Sequence, residues 1–259
     1  MEIKDKIIVV TGAGSGIGKA LVEKFIAEGA KTVVGVDINV DTAQKTAAEL
    51  GCVAMSADVA KEDDVRRVIE DTENTIGPID LFCSNAGVAA GASEQSANVE
   101  WELCWDVNVM SHVYAARHLV PRMLERGHGY FLNTASAAGL LNQIGGAAYG
   151  VTKHAAVGFS EWLALTYAHQ GIKVSLLCPQ AVRTAMTADA NDQGTKAASG
   201  DGMMEPAQLA DIVVEHLRRE NFLILTHEEV KTYMQRKTAD YNRWISGMNR
   251  LFQKLSGAA

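Results

Sequence analysis

Short runs of apolar residues alternate along the chain with longer stretches in which apolar positions recur every three or four residues. The runs at 7–10, 32–37, 53–56, 79–83, 130–134, 173–178 and 222–226 read as seven strands. Helical patterns cover about 17–29, 41–50, 61–75, 99–126 and 148–169, and glycines such as Gly29, Gly51, Gly77 and Gly171 stop most of them. Near-continuous apolar strands separated by helices predict a parallel sheet covered on both faces. Right-handed crossovers then give a doubly wound seven-stranded α/β sheet, with ligands at the carboxyl ends of its strands.

Two stretches fall outside this rhythm. Residues 186–204 are rich in Ala, Gly, Asp, Asn and Thr and lack an apolar period, which fits either a mobile cover or a loosely packed loop. Beyond the seventh strand, Val230, Tyr233, Met234, Tyr241, Trp244, Ile245, Met248, Leu251, Phe252 and Leu255 keep helical spacing, with Lys237 the one interruption and a basic opposite face. That extension docks on its own subunit, on a neighbour, or on an anionic membrane surface.

With 259 residues, 47% of them hydrophobic and 21% charged, the chain fits one compact domain and excludes a disordered or fibrous protein. No Pro-, Ser- or Gly-rich linker divides it, so residues 1–259 are read as a single catalytic domain, with 185–205 as the cover and 227–259 as the helical extension. The net charge of −7 argues against nucleic acid as a partner. From Arg218 onward eight Lys/Arg face four Asp/Glu, a local +4 that leaves −11 elsewhere and marks a surface. Cys52, Cys83, Cys104 and Cys178 form no Cys-x-x-Cys pair and read as reduced thiols. The seven histidines show no metal-ligand spacing, so no metal is expected. No signal-peptide or membrane-spanning run is visible, which predicts a soluble, cytoplasmic protein with membrane association unlikely to be its role.

The first strand runs into Thr11-Gly-Ala-Gly-Ser-Gly-Ile-Gly18. Glycines at a strand-to-helix turn let the backbone approach a pyrophosphate, and the helix N-terminus offers it free N–H groups and a positive dipole end. Gly12, Ser15, Gly16, Ile17 and Gly18 are therefore candidate cofactor contacts. Asp37 closes the second strand, 19 residues after Gly18, where a carboxylate can accept both hydrogens of an adenosine ribose diol or else cap the next helix. No Arg or Lys occurs between Thr32 and Val40, so a 2′-phosphate would meet only repulsion and NAD is favoured over NADP. Asp58, followed by Val59, either meets the adenine amino group or belongs to the start of the next helix.

Tyr149-Gly-Val-Thr-Lys153 places a phenol and an ammonium at i and i+4 on one helix face. A nearby cation favours a phenolate, which could accept a proton from an alcohol as a hydride leaves. The same spacing in Tyr233-Met-Gln-Arg-Lys237 reads as a surface helix, because the context differs. Ser136 stands thirteen residues before Tyr149, just past the fifth strand, whereas Glu220 stands thirteen before Tyr233.

The glycine loop, Asn85-Ala86-Gly87 after the fourth strand, Asn108 in the long helix, Ser136 and Tyr149-x-x-x-Lys153 occur together and in this order. In this the chain resembles the short-chain dehydrogenase/reductases, over roughly residues 5–226. The resemblance implies a Rossmann sheet and hydride transfer between NAD(H) and a small-molecule alcohol or ketone, with Tyr149 as general acid/base and Ser136 holding the reacting oxygen. It implies that Lys153 binds the nicotinamide ribose and lowers the Tyr149 pKa. It gives Asn108 the task of bending its helix and holding a water that links Lys153 to solvent. Asn85, Ala86 and Gly87 would pack beside the adenosine, and Pro179, Val182 and Thr184 beside the nicotinamide. The family usually has glycine where this chain has Gln180, whose amide is expected to reach the substrate pocket.

The expected pocket residues are Val88, Ala89, Ala138, Leu140, Leu141, Ile144 and Met186, beside Ser136, Tyr149 and Gln180. With no Lys or Arg among them, a neutral, largely hydrophobic secondary alcohol or ketone is the expected substrate. Apolar residues around much of the helices at 99–126 and 148–169 predict a homodimer or homotetramer. The alternatives are an NADPH-linked 3-ketoacyl-type reductase, opposed by Asp37, and a non-catalytic nucleotide sensor, opposed by the intact Asn108, Ser136, Tyr149 and Lys153. A sugar-nucleotide epimerase is opposed by Ser15, where those proteins favour glycine.

Overall fold

The structure is a computed structural model that describes residues 1–257. Its strands are β1 (Ile7–Thr11), β2 (Thr32–Asp37), β3 (Val53–Ser56), β4 (Leu81–Ser84), β5 (Gly129–Thr134), β6 (Ile172–Cys178) and β7 (Leu223–Leu225). They form one parallel sheet in the order β3-β2-β1-β4-β5-β6-β7, the seven-stranded doubly wound sheet expected. Between them run α1 (Gly16–Ala27), α2 (Val40–Leu50), α3 (Glu62–Thr75), α4 (Asn98–Trp105) and α5 (Ser111–Arg126). These are followed by α6 (Ala138–Leu141), α7 (Ala147–Tyr167), α8 (Gln193–Ala198), α9 (Pro206–Arg218), α10 (Glu229–Ala239) and α11 (Tyr241–Ser256).

Alternation along β1 builds both faces of the core. Ile8 and Val10 join Leu21 and Phe25 of α1 and Leu209, Val213 and Leu217 of α9 on one side. Val9 joins Phe82, Leu119, Phe131 and Leu163 on the other, under α3, α5 and α7. A strand buried on both faces has no polar side, which is why these strands read as unbroken apolar runs. The order reverses between β1 and β4, and the crevice at their carboxyl ends is where such sheets take ligands.

Four stretches depart from the expectations. The helix at 99–126 is interrupted by a π-turn, Asp106–Met110, so it becomes α4 and α5 with Asn108 inside the turn. Helix α9 was not among the elements expected, although Pro206 at its first turn and the reciprocal Glu205/Gln208 cap are start signals. The 186–204 stretch is not structureless: it holds α8, whose N-cap Asp192 accepts from the Thr195 amide at 2.7 Å. The C-terminal pattern is two helices, broken at Asp240, which caps α11 by accepting from the Arg243 amide. Among the described residues no helix is long and apolar enough to cross a membrane.

Candidate active site

A cavity of about 980 Å³ runs along the carboxyl ends of the strands, from Asp37 to the cover. Its nucleotide end is built by backbone. Gly12 (φ +69°) and Gly16 (φ +52°) hold left-handed conformations that favour glycine, and a side chain at Gly18 would collide with the Gly12 carbonyl. The loop is thereby drawn tight against the start of α1, whose first turn carries no acidic residue to oppose an anion. Ser15 sits at the N-cap with its hydroxyl unbonded to the helix. Thr11 stitches the loop to β4: its hydroxyl accepts from the Asn85 and Ala86 amides at 2.9 and 3.0 Å. Asn85 answers by donating Nδ2 to the Thr11 carbonyl at 3.0 Å, while its Oδ1 accepts from Thr134.

Asp37 lines the cavity and does not cap α2, a task taken by Asn39. Its Oδ2 accepts from the Gly14 amide at 2.9 Å and its Oδ1 from the Asn39 amide at 3.0 Å, so the carboxylate is held at the end of β2. Asp58 also lines the cavity and accepts from the Ala60 amide at 3.1 Å, in the turn that leads into α3. Val59, Ile17, Ala86, Gly87, Pro179, Val182 and Thr184, also expected beside a cofactor, line the same cavity. Lys153 is the one basic residue among the lining residues.

Midway along the cavity, Ser136 projects from the turn after β5, bonded through its hydroxyl to the Pro179 carbonyl (3.4 Å) and the Ala138 amide (3.1 Å). Tyr149 and Lys153 face it from α7. Lys153 is 3% exposed, donates Nζ to the Thr134 carbonyl at 3.0 Å and lies 5.7 Å from the centre of the Tyr149 ring. Burial lowers its pKa to about 8. Burial also raises the phenol of Tyr149, opposed by the Ser136 hydroxyl. Among these residues burial is the largest influence on both groups, acting in opposite directions on the phenol and the lysine.

Asn108 lies behind this trio. Its Oδ1 accepts from the Val88 amide and its Nδ2 donates to the Val88 carbonyl, both at 2.9 Å, and Nδ2 reaches Thr152 Oγ1 at 3.2 Å. The bend at the π-turn is what lets one side chain pair with both polar groups of an extended residue across the cavity floor.

The substrate end corrects several positions. Val88, Ala89, Met186 and Gln180 line the cavity, but Ala138, Leu140, Leu141 and Ile144 do not. Helix α6 packs against α7 so closely that a side chain at Gly139 would clash with Val157, and Leu140 sits on the buried cluster of Ala156 and Val157. Gln143, Gly145 and Gly146 take their place as the wall, facing Leu103 and the α8 residues Gly194 and Thr195. Gln180 directs its amide at the cover, donating to the Ala198 carbonyl (2.9 Å) and to Asp201 (2.8 Å).

A parallel sheet whose switch point opens on a glycine cradle, with Ser, Tyr and Lys converging beyond it, defines a Rossmann-type oxidoreductase. Residues 6–195 match the family model described as short chain dehydrogenase, and the chain belongs to that family. A 1-deoxy-11-beta-hydroxypentalenate dehydrogenase of Streptomyces exfoliatus is 33% identical over 258 aligned residues, covering 95% of this chain and 92% of that protein. A cyclohexanol dehydrogenase of Acinetobacter sp. (strain SE19) is 32% identical over 195 residues, 73% of this chain and 77% of that one. The crystal structure of a short chain dehydrogenase/reductase from Burkholderia phymatum in complex with NAD superposes with a TM-score of 0.86 at 27% identity, over 93% of this chain and 96% of that chain.

Proposed function

We propose that the protein transfers a hydride between NAD(H) and a neutral, largely hydrophobic secondary alcohol or ketone, with Tyr149 as the general acid/base. The observation that carries this reading is the convergence of Ser136, Tyr149 and Lys153 at the middle of one cavity, between the glycine cradle and the apolar substrate walls. The cradle fits a dinucleotide: the absence of a side chain at Gly18 lets the loop close against the Gly12 carbonyl, and the cavity opens on the N-terminus of α1, where unpaired N–H groups suit a pyrophosphate. NAD(H), when bound, supplies or takes the hydride and, in its oxidised form, adds a positive charge.

The chain's own part is the proton. Ser136 presents its hydroxyl to the substrate oxygen, and Tyr149, protonated at neutral pH, is set to give its proton to a carbonyl in reduction. In oxidation the phenolate needs help, and the Lys153 ammonium beside the ring offsets part of the desolvation that raises the phenol, as would the charge of an oxidised cofactor held in the cradle. Lys153, near a pKa of about 8, can hand a proton onward at physiological pH.

NAD is preferred because Asp37 and Asp58 face the adenosine end of the cavity, with Lys153, far from them at its middle, the one basic lining residue. That charge pattern repels a 2′-phosphate and opposes the NADPH-linked alternative. The substrate end is walled by Val88, Ala89, Leu103 and Met186, which suits an uncharged, apolar body. One of the relatives named above is a cyclohexanol dehydrogenase, in keeping with that class, while the other is named for a hydroxy carboxylate. Exposed Trp162 and Leu165 on α7 and Val99, Leu103 and Trp105 on α4 form the faces we assign to a homodimer or homotetramer. Four unpaired cysteines suit a reducing, cytoplasmic setting. Absorbance at 340 nm with NAD or NADP over a panel of secondary alcohols tests the reading. It stands if NAD supports turnover of a neutral alcohol, and it falls if only NADP does or if only carboxylate-bearing substrates react.

A further inference from the structure

The second Tyr-x-x-x-Lys pair, Tyr233 and Lys237, has no serine partner and reads in sequence as an exposed helix face. The structure turns that face inward. Lys237 is 9% exposed, and its Nζ donates to the Leu140 carbonyl at 2.7 Å, at the end of α6. The ring of Tyr241 lies 5.5 Å from the same Nζ. One turn earlier on α10, the Tyr233 hydroxyl donates to the Asp201 carboxylate, 2.9 Å from Oδ1 and 3.1 Å from Oδ2. Asp201 Oδ2 also accepts from Gln180, so a three-residue chain joins the β6 loop, the cover and α10.

Neither Leu140 nor Asp201 lines the catalytic cavity, but each is tied to a residue that does, Leu140 through the start of α6 after Ser136 and Asp201 through Gln180. Helix α6 begins two residues past Ser136. Gln180 follows Pro179, whose carbonyl accepts from Ser136 and from the Ala137 amide at 2.7 Å. A glycine at 180 would have no amide to offer Asp201, so this chain depends on the departure from the family pattern. Both Nε2 hydrogens of Gln180 are committed, to Ala198 and Asp201, which fixes the amide and leaves Oε1 buried without a partner. An orphaned acceptor favours opening, which hydrates it, and the bond from Tyr233 opposes that opening.

We propose that Tyr233 and Lys237 are positioning residues of the alcohol/ketone site: α10 clamps α6 on one side and the cover on the other, and substrate passes when the Gln180–Asp201–Tyr233 contact releases. This rests on the dehydrogenase reading above. Neither residue lines the cavity, so both act through Leu140, Asp201 and Gln180.

Hydrogen exchange of the full-length protein, read without substrate, tests the clamp directly. Tyr233→Phe removes one oxygen and keeps the ring beside Trp244, 6.5 Å away. Amides of 193–202 should exchange about fivefold faster in Tyr233→Phe, while Lys237→Met should speed 138–142 instead. With NAD and an alcohol that the wild type turns over, KM for the alcohol should rise about threefold in Tyr233→Phe, with NAD affinity changed by less than about twofold. Combining Tyr233→Phe with Gln180→Gly should add little, because both act through Asp201. Asp201→Ala, a second variant should one of these misfold, should reproduce the 193–202 exchange effect alone. Unchanged exchange in both Tyr233→Phe and Asp201→Ala overturns the clamp, as do fully additive effects or equal losses of alcohol and NAD affinity. Faster exchange in the variants, beside a wild type that turns over no alcohol, leaves the clamp standing and overturns the dehydrogenase reading.

Discussion

Replacing Lys153 by Met should make the protein more stable while removing its activity. The lysine is buried, has no carboxylate partner among the described residues, and has its pKa pulled from 10.5 to about 8 by desolvation. A fall from 10.5 to about 8 corresponds to about 3 kcal/mol held against folding wherever the ammonium persists. The bond from Nζ to the Thr134 carbonyl returns about 1–2 kcal/mol, so Met, of similar length, should gain on the order of 1 kcal/mol at pH 7. For a chain of this size that raises the melting temperature by about 2–4 °C. The native pKa lies below the unfolded one, so the wild type recovers stability as pH rises from about 8 to 10.5. The variant's advantage should therefore shrink over that window, in urea melts at one protein concentration. A variant less stable than the wild type at pH 7, or an advantage that is flat from pH 7 to 10.5, would refute the desolvation argument.

Three further outcomes are expected. Asp37→Ala should narrow the NAD over NADP preference by about tenfold or more in kcat/KM, because a carboxylate is removed from the adenosine end. The same change frees the Gly14 and Asn39 amides and should cost about 1–2 kcal/mol in a urea melt. His112 is buried with neither ring nitrogen bonded, and burial, helped by Lys153, lowers its pKa from 6.5 to about 3. Its native pKa lies below the unfolded one, so the wild type should lose about 1.4 kcal/mol per pH unit as pH falls from 6.5 toward 3, and His112→Phe should flatten that limb of the stability curve.

The sheet was legible because each strand is buried on both sides, so burial itself wrote an apolar run such as Ile7–Val10 into the chain. The glycine loop was legible for a similar reason: the left-handed backbone at Gly12 and Gly16 favours glycine. The π-turn at Asp106–Met110 was not, since the surrounding helix is apolar around much of its circumference and a one-residue slip in phase leaves no break in such a pattern. Nor were the substrate walls. Which side of the four-residue α6 faces the cavity depends on α7 packing against Gly139, a contact between distant segments. Tyr233 and Lys237 show the same limit from the other direction: their spacing matches that of Tyr149 and Lys153, and only the fold decides that one pair meets a cavity and the other meets Asp201 and Leu140 beside it.

The account rests on Tyr149 moving the proton beside a bound dinucleotide. The most direct measurement compares wild type and Tyr149→Phe for NAD binding, by fluorescence quenching, and for alcohol oxidation at 340 nm. The variant should bind NAD within about twofold of wild type and lose turnover by about a thousandfold or more. Turnover surviving in Tyr149→Phe, with NAD bound equally well, would contradict the assignment.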